Sequence, residues 1–213
     1  AFKGPTGEIE HYPYSISYQV AAPSTTISAT AMNVFYIGIP NPVDIAASGV
    51  AKDKVSASIS NGSITKSGEG WMVNVKTPGK ATISVSAEVD GARKTMGSMD
   101  FRVKKIPTPV PEIGGKSSGA IRRSSLSAQA GIVAKMENFE FEVNVKVKSY
   151  TFSYTRADGI STDINVTGNR FSSDVKRILG KLSPGAKVTF EKIMVTMPGG
   201  EERRLSPIVF KLT

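Results

Sequence analysis

Residues 139–154, FEFEVNVKVKSYTFSY, constrain the fold more than any other stretch. Phe139, Phe141, Val143, Val145 and Val147 alternate with Glu140, Glu142, Asn144, Lys146 and Lys148. That period of two is the pattern of a strand with one apolar and one charged face. After Lys148-Ser149 the parity slips, and Tyr150, Phe152 and Tyr154 carry the apolar side onward. A one-residue slip turns every later side chain over, so the sequence predicts a single strand with a β-bulge near Lys148-Ser149. Its eight large apolar side chains would each contribute about 1.5–3 kcal/mol on full burial. A second layer must cover them, so the chain must be mostly β.

The rest of the chain supplies short strands. Residues 9–20 alternate Tyr12, Tyr14, Ile16, Tyr18 and Val20 with His11, Pro13, Ser15, Ser17 and Gln19. Pro13 places that strand at a sheet edge. Residues 1–22 are therefore expected to be the last strand of a preceding domain, or a strand exchanged with another chain. Over 23–104, strands are expected at 25–29, 34–39, 43–47, 55–59, 71–75, 81–89 and 99–104. Turn signals at Asn61-Gly62, Pro78-Gly79 and Asp90-Gly91 separate them, and Asn-Gly and Asp-Gly supply the φ > 0 positions of tight hairpins. Seven such strands predict an immunoglobulin-like β-sandwich, with Trp71 in its core. Pro107, Pro109 and Pro111 alternate in a linker over 105–119. In polyproline geometry residues 106–113 would span about 25 Å as a semi-rigid spacer, loosening over 114–119. The last domain, 120–213, is expected to be β with helices at 124–130 and 172–179, the latter capped by Ser172 or Ser173 and stopped by Gly180. The fold class is thus mainly β: two tandem β-sandwich domains, the second with short helices.

Composition excludes several kinds of function. At 39% hydrophobic and 21% charged the chain is globular, and the lack of cysteine removes thiolate chemistry and Cys-based zinc sites. No apolar run approaches a membrane span. The chain opens on Ala1 rather than Met, which leaves room for an anchor upstream. The net charge of +9 divides into +2 for residues 1–104 and +7 for 105–213. Positive residues mostly alternate with apolar ones along strands, and no aromatic-basic module appears, so nucleic acid is not an expected partner.

No chemistry-bearing cluster emerges. His11 is the only histidine, which leaves no His-containing metal set and makes a Ser–His triad implausible. Two Ser-x-x-Lys matches, Ser63 with Lys66 and Ser173 with Lys176, lack the companion motifs of Ser–Lys enzymes. Gly114-Gly115-Lys116-Ser117 lacks the first glycine of a phosphate loop, where Val110 stands. Asn61 and Asn165 begin glycosylation triplets, and Asn61-Gly62 is better explained by its turn. No catalytic, cofactor-binding or metal-ligating residue is expected. Loop arginines remain: Arg122 and Arg123 after the linker, and Arg203 and Arg204 after the Pro198-Gly199-Gly200 turn, as candidate partner-binding residues.

Two stretches carry a family resemblance. Residues 32–50, MNVFYIGIPNPVDIAASGV, and the run 184–195, PGAKVTFEKIMV, with its Pro-Gly-Gly turn and closing PIVF strand, flank the Ile-Pro-x-Pro linker. Together they resemble the last two periplasmic domains of the gliding-motility and type IX secretion M proteins (GldM, PorM), with the porphyromonad members nearest. The resemblance implies an inner-membrane protein anchored by one N-terminal helix and no catalytic residues. It further implies a homodimer, joined to the L protein of a proton-driven motor at the inner membrane. The last domain would reach the outer-membrane-associated K/N ring. The expected function is a periplasm-spanning, force-transmitting element. The alternative is a bacterial Ig-like adhesin or carbohydrate-binding module, which would present an exposed row of aromatics on one sheet face.

Overall fold

The computed structural model describes residues 32–89, 91–155 and 159–213, with short pieces at 2–3, 9–10 and 15–16. His11, most of the strand expected over 9–20 and the whole of that over 25–29 lie outside the described residues. The pieces β1 (Phe2–Lys3) and β2 (Ile9–Glu10) pair antiparallel. They belong to a unit of their own, separate from the unit Ala31–Thr213.

The larger unit begins with a two-sheet sandwich. One sheet runs β3 (Val34–Tyr36), β9 (Ala92–Lys104), β8 (Gly79–Val89), β5 (Val55–Ile59); the other runs β4 (Asn41–Val43), β7 (Gly70–Asn74), β6 (Ser63–Ser67). Between them lie Phe35, Val73, Val75, Ala81, Ile83 and Val103, with Phe35 stacked on Phe101 at 4.2 Å. Trp71 is buried, as its parity implied, with Lys66 over its ring at 5.4 Å. The Asn61-Gly62 turn depends on both residues. A Cβ on Gly62, at φ 113°, would meet the Asn74 carbonyl oxygen at 2.0 Å, and the Asn61 amide donates to the Thr77 carbonyl at 2.8 Å. The strand expected over 43–47 is instead Asn41–Val43. Pro42 fits there because β4 is an edge strand.

The second domain is built on a six-stranded sheet. Its order is β11 (Ser118–Ile121), β17 (Ile208–Leu212), β15 (Lys187–Thr196), β13 (Lys146–Thr155), β14 (Ser161–Thr167), with β16 (Glu202–Arg204) also paired to β15. Helices α1 (Arg123–Ser127) and α2 (Ser173–Lys181) contribute Leu126, Val175 and Leu179 to the core around Tyr150, Phe152, Phe190 and Phe210. Ser172 caps α2 by accepting a hydrogen bond from the Val175 amide at 3.3 Å. The pairing of β13 with β15 shifts register between Val147 and Ser149, which is the bulge that the parity slip predicted.

Further features differ from expectation. The strand expected from residue 139 begins only at Lys146; residues 139–145 keep their alternation of half-buried and exposed side chains without joining a ladder. The proline segment is no free spacer. Ile106, Pro109, Pro111 and Ile113 are buried, and β10 (Val110–Glu112) pairs with β12 (Val133–Lys135). Gly114 and Gly115, at φ 58° and 75°, make a tight turn closed by Ile113 and Lys116, so the segment 114–119 does not loosen. Extended prolines suit an edge ribbon because their missing N–H groups are not required there.

Candidate functional site

The segment that most resembles the M-protein family lies where the two domains meet. Strand β3 divides its side chains between two cores: Phe35 enters the sandwich, while Tyr36 packs on the second domain. The Tyr36 ring meets Phe139 edge-on at 4.8 Å and Phe141 at 5.6 Å. Beyond it the loop turns sharply, and Ile39, 8% exposed, joins the core of the second domain.

Asn41 holds that loop in shape. It is 2% exposed, a burial that a side-chain amide tolerates only when its hydrogen bonds are made. Its Nδ2 donates to the carbonyls of Tyr36 at 3.0 Å, Ile39 at 3.0 Å and Val73 at 3.3 Å, and its Oδ1 accepts from the Tyr36 amide at 2.8 Å. The side chain thereby stands in for a missing turn of backbone pairing. At the loop tip Gly38, with φ 88°, lies against the Pro198–Gly200 turn of the second domain.

A second strand of chain crosses the same junction. β9 runs out of the sandwich through Lys104 and delivers Ile106, 3% exposed, to the second core. Arg203 on β16 donates from Nη1 to the Ile106 carbonyl at 2.5 Å and from Nη2 to Glu201 Oε2 at 2.9 Å. Lys105 Nζ donates to Glu201 Oε1 at 3.0 Å. These hydrogen bonds, Arg203 first and Lys105 second, hold the Glu201 carboxyl well below the usual range, at about 2. Nearby, Lys148 on β13 pairs with Glu202 at 2.5 Å.

The four arginines singled out from the sequence do not converge. β17 pairs with the Lys187 end of β15 and β16 with its Thr196 end. Arg122 and Arg123 follow β11 on the β17 side, where Arg123 donates to the Leu182 carbonyl at 3.2 Å. Arg203 and Arg204 sit at the opposite end of β15, and Arg203 is turned inward with 14% of its side chain exposed. Sequence reasoning missed Tyr36, Gly38, Ile39 and Asn41 as a functional group. The available signal was Asn41 between two prolines, within the stretch that carried the resemblance.

Among the described residues no group of acidic, histidine or cysteine side chains could hold a metal, and no helix is long and apolar enough to cross a membrane. The aromatic side chains described above pack inward.

Comparison with known proteins matches residues 24–104 to the GldM third domain and residues 107–213 to the GldM C-terminal domain. No curated protein matches the chain. Among solved structures, the Yersinia pseudotuberculosis adhesin InvE aligns at 11% identity and TM-score 0.25, over 84% of this chain and 57% of the adhesin. Human mucin-like protocadherin EC1-2 aligns at 10% identity and TM-score 0.26, over 85% of this chain and 95% of that one. Likenesses this weak carry no functional argument.

Proposed function

The chain belongs to the GldM family, and on that premise we propose that it transmits force across the periplasm within the gliding-motility and type IX secretion machinery. GldM-family domains are periplasmic components of that machinery, and the family is one of structural parts rather than enzymes. The observation that carries the force-transmitting reading is the double crossing of the junction. Tyr36 and Ile39 of the 36–41 loop and the chain at Ile106 all enter the core of the second domain, so a load on the sandwich passes through packed side chains as well as through one covalent strand. Packed interiors transmit strain because they compress little.

In this reading the chain works as a homodimer. A membrane anchor preceding residue 1 joins it to the L-type motor protein in the inner membrane. The C-terminal domain meets the outer-membrane-associated K/N ring, with exposed Arg122 and Arg123 at one end of β15 and Arg204 at the other offering positive charge to acidic ring surfaces, while Arg203 stabilises the junction. Steering by such charges affects association rate more than affinity.

A flexible Gly/Ser insertion between Lys105 and Ile106 in the full-length protein tests the role. The insertion should abolish secretion and gliding while capture of the ring proteins by the C-terminal domain persists. Normal secretion with the insertion in place would overturn force transmission.

A further inference from the structure

The most strongly patterned strand sequence in the chain begins with seven residues that pair with nothing. Among the described residues, none of the backbone groups from 136 to 145 enters a ladder or any other hydrogen bond. Yet Phe139, Phe141, Val143 and Val145 lie half-buried against the core, and beyond a bend at Phe141 the run 142–145 leads into β13 with its polar residues exposed. Strand edges of this kind are usually protected by proline, a bulge or a covering loop. Here β13 pairs with β14 only from Ser149 onward, with the Lys148 carbonyl also accepting from the Gly168 amide at 2.7 Å, so residues 142–147 have no ladder partner on that side.

The outward residues are self-complementary. They read Glu140, Glu142, Asn144, Lys146, Lys148, two acids and two bases disposed about a central asparagine. Turned antiparallel on a second copy about Asn144, Glu142 faces Lys146 on the polar side and Val143 faces Val145 on the apolar side. Farther out, the chain bends at Phe141 and the Lys148 carbonyl is already engaged by the Gly168 amide at 2.7 Å, so Glu140 and Lys148 add only long-range complementarity. A parallel, in-register pairing would instead set Glu140 on Glu140 and Glu142 on Glu142. Opposite charges placed directly across strands stabilise, and like charges destabilise. Glu140, Glu142 and Lys146 have no ion-pair partner among the described residues of their own chain, and Lys148 has Glu202.

We propose that residues 142–146 form the two-fold interface of the dimer, an antiparallel strand pair centred on Asn144 of each copy. Such an isologous contact closes on itself, because each half-pair occurs twice about the axis. The inference rests on the dimer reading above and specifies its interface.

The protein has no cysteine, so a single introduced one reports directly. Asn144→Cys sits on the axis, where facing Cβ atoms approach about 4.5–5.5 Å, and should form a covalent dimer on mild oxidation. Asn165→Cys, on exposed β14, should not. Glu142→Lys and Lys146→Glu should each weaken the dimer about tenfold, since each places two like-charged pairs across the strands. The double swap should return affinity to within about twofold of the starting protein. Failure of Asn144→Cys to cross-link above Asn165→Cys, or a double swap as weak as the singles, overturns the interface. Sedimentation of the same samples separates the two levels: a persisting dimer in that case leaves the dimer reading standing, whereas a monomer at every concentration removes both.

Discussion

Gly38 lies so close to Pro198 that a Cβ at Gly38 would sit 2.6 Å from the Pro198 carbonyl oxygen. The two backbones thus touch across the domain junction with no room for a side chain. Gly199 faces the same contact, its Cβ position being 3.1 Å from Gly38 Cα. The substitution Gly38→Ala meets two penalties, the left-handed φ of 88° and the approach of a rigid backbone oxygen. It should cost about 2–3 kcal/mol in chemical denaturation. Gly49→Ala, with a similar φ of 74° but open space, should cost only about 1 kcal/mol.

Asn41→Ala should cost about 3 kcal/mol by the same measurement. The change removes the partner of the part-buried Tyr36 amide and of the Tyr36 and Ile39 carbonyls, and unmet buried polar groups are costly. Asn41→Asp should do no better, because a carboxylate cannot donate to the Tyr36, Ile39 and Val73 carbonyls.

Arg203→Ala removes the donor to the Ile106 carbonyl and one of two partners of Glu201. A loss of about 1–3 kcal/mol is expected. Arg203→Lys should recover part of it, since an ammonium has no planar fork with which to serve Ile106 and Glu201 together. Thermal unfolding of the three proteins side by side checks the order.

Glu201 gives the junction a dependence on acid. Its folded pKa of about 2 lies below the ordinary value of 4.5, so its contribution is complete above about pH 4.5 and is lost as pH falls toward 2. Unfolding midpoints measured from pH 6 to 2 should drop more steeply for the native protein than for Glu201→Gln. Parallel curves would show that the carboxylate contributes nothing there.

Much of this fold was legible as period and parity. The slip after Lys148 located the bulge in β13, and Trp71 announced its own burial. Strand β6 was not legible, because Ser63–Ser67 contains only Ile64 to mark a face, and pairing with Gly70–Asn74 makes it a strand. Alternation in residues 139–145 encoded burial on one side but not the hydrogen-bond partner, which is a property of neighbours. Gly180 gave a false stop: it is exposed in open space inside α2, where a glycine costs only about 1 kcal/mol. The junction was hidden for a related reason. No local pattern states that Ile39 and Ile106 enter the core of the next domain rather than their own.

The rotational diffusion of the two domains, measured by backbone ¹⁵N relaxation on residues 32–213, tests the rigid junction most directly. Tyr36, Ile39, Ile106 and Arg203 should make both domains report one common diffusion tensor. Separate correlation times for residues 34–104 and 106–212 would contradict it.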